Sequence, residues 1–292
     1  MRITENMKTA QVLRDLAKVR SEHARASEVA STGQRINSPS DDPSAAARMQ
    51  RVSSSLADNA SLSDSLSLAK TDLEQAESTL AEAGSIMQRV KELALTAANG
   101  TLSADDRLIV ADELHGIFDA MLGLANAEGV RGALFAGSQT DQAAFDASGV
   151  FLGDDYEHSI RSGAGTQVVI NSSGARAFTA AGGRDVFADL ADLEAALRAD
   201  DQAGIRTTLE ALDEGHDQIV SERARAGVNL IRVDQSLEVL SSAKYLDEIQ
   251  LNRLGGADPA ESLSELSTLQ GALQRSIAIS SQMLQLDAFS IL

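Results

Sequence analysis

Apolar residues recur along this chain with a seven-residue rhythm that is clearest between positions 66 and 97. Leu66, Ala69, Leu73, Ala76, Leu80, Ala83, Met87, Val90, Ala94 and Ala97 follow at alternating steps of three and four, and all ten are apolar. A random register would do this about twice in ten thousand at the chain's hydrophobic fraction, so the run reads as one buried face of a helix. The alternation of Leu with Ala predicts close packing along a single seam. Ala45, Met49, Val52 and Leu56 extend the stripe upstream, while polar Asn59 and Ser63 suggest a phase slip. Asp42 suits the cap and Pro43 the first turn, where its missing N–H is harmless. Asn99-Gly100 supplies a stop, so the predicted helix from Pro43 to about Asn99 would be roughly 85 Å long.

Ser103 with Asp106 reads as a capping box opening a helix with the stripe Val110, Leu114, Ile117, Phe118, Met121, Leu122 and Ala125. From Gly129 to Gly183 small and polar residues punctuate short runs, and strands are expected at Ala133–Phe135, Gly149–Leu152, Gln167–Ile170 and Ala175–Phe178. Helical spacing returns through Phe187, Leu190, Leu193 and Leu197. A second long helix runs from about Ala203 to Leu254, with Leu209, Leu212, Ile219, Ala226, Leu230, Val233, Leu237 and Leu240 near heptad positions and Gly255-Gly256 as its stop. Two long helices flanking an insertion should lie antiparallel.

Both chain ends carry stripes without a body to cover them: Val12, Leu13, Leu16 and Val19 in front, and Leu263, Leu266, Leu269, Leu273, Ile277 and Leu284 behind Pro259. At ~25 cal/mol per Å² of apolar area, such stripes should pair with each other or with other subunits. We therefore read Val12, Leu13, Leu16, Val19, Leu269, Leu273, Ile277 and Leu284 as subunit-packing residues. The expected fold is mainly α: an elongated antiparallel helical bundle or coiled coil built from both chain ends, with a small inserted β domain. Residues 1–42 and 257–292 would be terminal coiled-coil segments that order on assembly. Residues 43–132 and 200–256 would form the bundle core, and 133–199 a β-rich insert with a short helix.

Composition narrows the function classes. The net charge of −18 disfavours nucleic acid and anionic membrane surfaces as partners. The first 55 residues hold nine Lys/Arg against six Asp/Glu, so the remainder carries −21. Cysteine is absent, excluding disulfides, thiolate metal sites and Cys nucleophiles. The start lacks an apolar signal core, and no run of about 18 apolar residues occurs, so neither a cleaved secretory signal nor membrane insertion is expected. Seven of the nine Phe and Tyr lie between Phe118 and Phe187, which predicts one compact aromatic core there.

Catalytic chemistry finds no support. His23, His115, His158 and His216 form no metal-ligand spacing, and His115 and His216, on or near helix seams, read as structural. Asp41-Asp42, Asp105-Asp106, Asp154-Asp155 and Asp200-Asp201 fit caps and turns. Gly163-Ala164-Gly165-Thr166 precedes a strand and lacks a following Lys, so it is a hairpin turn and not a phosphate loop. Arg35, Arg48, Arg51, Arg223, Arg225 and Arg232, without interleaved aromatics, read as solvent or interface charges. No cofactor is expected.

Several blocks carry a resemblance. Met1-Arg2-Ile3 opens the chain, and Ser31-Thr32-Gly33-Gln34-Arg35-Ile36-Asn37-Ser38-Pro39-Ser40-Asp41-Asp42-Pro43 resembles the signature S-G-x-R-I-N-x-P-S-D-D-P of the flagellin superfamily. Leu134 to Asp141 is similar to its L-F-A-G-x-x-T block, Arg225 to Asn229 to its G-A-R-x-N block, and Ser280 to Leu292 to its last helix. Val228 replaces the usual basic residue, and Met283-Leu284-Gln285 varies the ending. Pro39-Ser40-Asp41-Asp42-Pro43 and the Phe135-Ala136-Gly137 block favour the hook-filament junction branch over filament flagellins. The helix-start motif is then Asn37, Pro39, Asp41, Asp42 and Pro43. The resemblance implies a non-enzymatic structural subunit of the extracellular flagellum. It also implies passage through the type III export apparatus, a cytosolic chaperone on the C-terminal helix, and ring assembly with itself, the other junction protein and flagellin. A short flagellin is the second reading, and a cytosolic coiled-coil adaptor or enzyme the third.

Overall fold

A computed structural model describes residues 2–162 and 166–289, with the side chains of 2–6, 8–9, 162, 166 and 283–289 outside that description. In order the elements are α1 Arg2–Thr32, α2 Pro43–Ala97, α3 Ala104–Ala125, β1 Glu128–Gly129, β2 Gly132–Ala133, β3 Ser159–Ser162 and β4 Thr166–Val169. They continue with α4 Gly174–Phe178, α5 Val186–Arg198, α6 Gln202–Gly255 and α7 Pro259–Phe289. The chain divides into two compact units, one of residues 1–58 with 243–292 and the other of residues 59–242. This is the mainly helical bundle with a small β insertion that the hydrophobic periods predict.

In the central unit all ten residues of the Leu66–Ala97 stripe are at most 2% exposed. The steps of three and four run through Asn59 and Ser63, both half-buried, without a break in α2. There is thus no phase slip; two polar residues simply occupy inward positions. The pairs Lys70–Asp234 at 2.8 Å, Arg223–Glu77 at 2.6 Å and Lys91–Asp213 show that numbers rise on α2 as they fall on α6, so the two helices are antiparallel. Arg198–Asp112 at 2.9 Å and His115–Glu194 at 3.4 Å order α3 against α5 in the same way. Leu80, Met87, Leu114, Met121, Leu190, Leu193, Leu212 and Ile219 join one core from α2, α3, α5 and α6.

The insertion is fastened to this core by aromatics. Phe145 and Phe178 lie 5.7 Å apart edge to face, as do Phe135 and Phe178, while Phe118 meets Phe187 at 5.4 Å. The expected aromatic cluster is present, although Tyr156 stands outside it, 59% exposed. The hairpin of β3 and β4 pairs Ile160 with Val168, and Val168 and Ile170 close a second core with Leu66, Ala69, Leu73, Val233 and Leu240.

Three local expectations need correction. Ala175–Phe178 is helical, because Ser173 extends its backbone and accepts the Arg176 N–H at 3.2 Å, an N-cap that starts α4. The span Gly149–Leu152 forms only an isolated bridge, Phe145 with Phe151. Of the expected strand Ala133–Phe135 only Ala133 is extended, paired with Glu128, and Leu134 and Phe135 form a turn. His115 is 63% exposed but lies beside the α3–α5 seam, 3.4 Å from Glu194. The Gly163-Ala164-Gly165 turn lies outside the described residues.

Candidate assembly interface

The signature block between α1 and α2 is a joint. Asp41 Oδ2 accepts from the backbone N–H of Asn37 at 3.1 Å and of Ser38 at 2.9 Å, while Arg25 pairs with its other oxygen at 3.1 Å. Asp42 Oδ1 accepts from the N–H of Ser44 and Ala45 at 3.1 and 3.0 Å, capping α2 as expected. These bonds favour the ionised form. The Ser38 and Asn37 N–H groups hold the Asp41 carboxyl below its ordinary range, and the Ala45 N–H with the Ser44 hydroxyl does the same for Asp42.

The same block reaches the far end of the chain. The Arg35 N–H donates to the Gly255 carbonyl at 2.7 Å and its guanidinium to the Leu254 carbonyl at 3.0 Å, placing a cation on the C-terminus of α6. The Ala257 N–H donates to the Gly33 carbonyl at 2.9 Å, and Gln34 bridges Gly256. Gly33 has φ +68°, a left-handed turn that ends α1. Asn37 Nδ2 closes the loop onto the Gln34 carbonyl at 3.0 Å, and Ile36 is buried beneath it. The joint therefore ties the end of α1 and the start of α2 to the end of α6 and the start of α7.

From this joint α1 and α7 run antiparallel and pack on one another. Val12, Leu16 and Val19 are half-buried, as are Leu266, Leu269 and Leu273. Leu13 and Ile277 face outward at 52% and 45% exposure, beside Leu263 at 59% and Ile279 at 55%. The side chain of Leu284 lies outside the described residues. The inward positions of α7 also include Ser262, Ser276 and Ser280, and those of α1 include His23 and Ala26. Reading for apolar residues alone missed these polar members, yet they sit at the same steps of three and four.

A helical pair whose stripe stays half-covered, flanked by further exposed Leu and Ile, leaves apolar area open to solvent. Among the described residues no group of His, Asp and Glu is placed to hold a metal, and no helix is long and apolar enough to cross a membrane.

Residues 3–140 match the family described as the bacterial flagellin N-terminal helical region. The chain aligns with flagellar hook-associated protein 3 of Escherichia coli K12 at 29% identity over 316 aligned positions, 100% of this chain and 99% of that protein. Flagellin of Bacillus subtilis aligns at 28% identity, 91% of each chain being covered. A solved structure from Vibrio parahaemolyticus, described as a flagellar hook-associated protein, shares the fold. It has a TM-score of 0.67 at 22% identity, spanning 74% of this chain and 100% of that one. Residues 3–140 are thus similar to the flagellin helical region, and the chain as a whole is similar along its length to flagellar hook-associated protein 3.

Proposed function

We propose that this chain is the hook-filament junction subunit of a bacterial flagellum, a structural protein that assembles as a ring between hook and flagellin filament. The full-length correspondence to hook-associated protein 3 carries the reading. The half-covered stripes of α1 and α7 supply a physical means: Val12, Leu13, Leu16, Val19, Leu269, Leu273, Ile277 and Leu284 are the residues through which neighbouring subunits bury one another. Passage through the type III export apparatus without a cleaved signal, and a cytosolic chaperone covering the last helix, belong to the same proposal. A chaperone is physically reasonable because exposed apolar helices associate prematurely at cytosolic concentrations. The likeness to Bacillus subtilis flagellin supports one competing reading, in which this chain is a short flagellin.

Deleting the gene, imaging the cells by electron microscopy and assaying the medium for flagellin separates the two. Bare hooks with abundant flagellin in the medium are expected. Bare hooks with none would make this chain the filament protein, and normal filaments would refute both readings.

A further inference from the structure

The turn that ends α2 holds the one Asn-Gly pair of the chain, Asn99-Gly100. Asparagine before glycine is open to attack from within, because glycine has no Cβ to hinder the approach of its backbone nitrogen to the side-chain amide carbon. Both residues are exposed, and among the described residues no group accepts from the Gly100 N–H. Asn99 Oδ1 accepts from the Thr101 N–H at 3.4 Å, which folds the side-chain amide over the Gly100 peptide unit.

The surroundings act on that same peptide. Loss of the Gly100 proton spreads negative charge onto the Asn99 main-chain carbonyl oxygen, the other end of the amide. This oxygen accepts from the Leu102 N–H at 3.2 Å and from Arg107 Nη2 at 3.1 Å. Arg107 is 2% exposed and always charged, so its bond strengthens as the oxygen gains charge, as the donors of an oxyanion hole do. Asp200 pairs with Nη1 of the same guanidinium, but its side chain is half exposed, and water weakens its opposing field.

We propose that Asn99 is a site of spontaneous deamidation, which the buried Arg107 promotes and steers towards isoaspartate. The Gly100 nitrogen gives its proton to solvent hydroxide and bonds to Cγ of Asn99. The Cγ–Nδ2 bond breaks, and the amide nitrogen takes a proton from water and leaves as ammonia. Water then opens the five-membered imide. Attack at the main-chain carbonyl, which Arg107 polarises, leaves that carbon as a free carboxylate on the guanidinium and routes the chain through Cβ and Cγ. The modified molecule gains one negative charge and one methylene in its main chain.

The test holds the full chain at mildly alkaline pH, either folded or in urea, in water enriched in heavy oxygen. Peptide mass spectrometry follows position 99, with fragmentation separating isoaspartate from aspartate. The reaction should run about fivefold faster in the folded chain than in urea, with a larger share of isoaspartate. Gly100→Ala is accommodated, Gln202 Oε1 being 3.8 Å from the added Cβ, and should slow deamidation by about tenfold or more. Asp200→Asn keeps a side chain that tolerates the left-handed backbone while removing the opposing charge, so it should speed the folded reaction about twofold. Deamidation no faster in the folded chain than in urea, an unchanged product ratio, or no effect of Asp200→Asn overturns the proposal.

Discussion

At the scale of single residues the strongest constraints are polar side chains that no hydrophobic period reveals. Arg107 is 2% exposed. Its Nε donates to the Ala97 carbonyl at 3.0 Å, Nη2 to the Asn99 carbonyl at 3.1 Å, and Nη1 pairs with Asp200, whose backbone is left-handed at φ +54°. It thus closes the end of α2 and holds the turn into α6. Arg107→Ala should remove about 3 kcal/mol of stability, read from the urea midpoint, because buried carbonyls lose their donor. Gln218 plays a comparable part: its Nε2 serves the carbonyls of Ala177, Thr179 and Arg184 at 3.1, 3.1 and 3.0 Å, and its Oε1 accepts the Arg184 N–H at 2.8 Å. Gln218→Ala should lower stability by about 2 kcal/mol, and Gln218→Glu by more, since a carboxylate would then face carbonyl oxygens. Neither residue was legible beforehand, because a lone Arg or Gln on a helix is ordinarily solvated. Only contacts 8 to 93 positions away in the chain make Arg107 internal.

Elements were legible where local chemistry decides them. Ser103 with Asp106 forms the expected capping box on α3, and Asp201 caps α6 through the N–H groups of Ala203 and Gly204. The insertion was less legible because its backbone is set by side chains distant in sequence. Asp154 accepts from the Ser138 N–H at 2.7 Å, and Glu222 from the Ser173 N–H at 3.0 Å. Such bonds replace ladders, which is why little of residues 133–178 is strand and why β3 went unnoticed. The capping carboxylates make a prediction about acid. Hydrogen bonds, first from Ser103 to Asp106, from Ser148 to Asp146 and from Ser138 to Asp154, hold these groups below their ordinary range, as at Asp41 and Asp42. A depressed folded pKa contributes stability that is complete above the unfolded value, about 3.9, and disappears as pH falls through the folded one. Melting temperatures should therefore change little between pH 7 and 5 and drop towards pH 3. In Asp41→Asn the melting temperature should be lower at pH 7, with a smaller drop in acid.

For the whole molecule, the two units differ in how their seams are filled. The α2 stripe is Leu, Ala, Met and Val at no more than 2% exposure from Leu66 to Ala97. The α1/α7 seam mixes half-buried Val12, Leu16, Val19, Leu269 and Leu273 with Ser262, Ser276, Ser280 and His23. Less apolar area is removed from water there, and at ~25 cal/mol per Å² the pair gains correspondingly less against the entropy of ordering two 31-residue helices. Local stability should follow. Amides of α1 and α7 in the free chain should exchange with deuterated solvent far faster than those of α2 from Leu66 to Ala97, and should become protected when subunits assemble. Filling the polar positions provides a second handle. Ser262→Leu with Ser280→Leu adds apolar contact on the inward face and should slow exchange in the free chain without any partner. If terminal amides of the unaltered free chain already exchange as slowly as those of α2, the ends are fully formed before assembly and the ordering step is absent. If the Leu substitutions leave exchange unchanged, the serines do not limit the seam, and its weakness must be traced to the exposed flank of Leu13, Leu263 and Ile277.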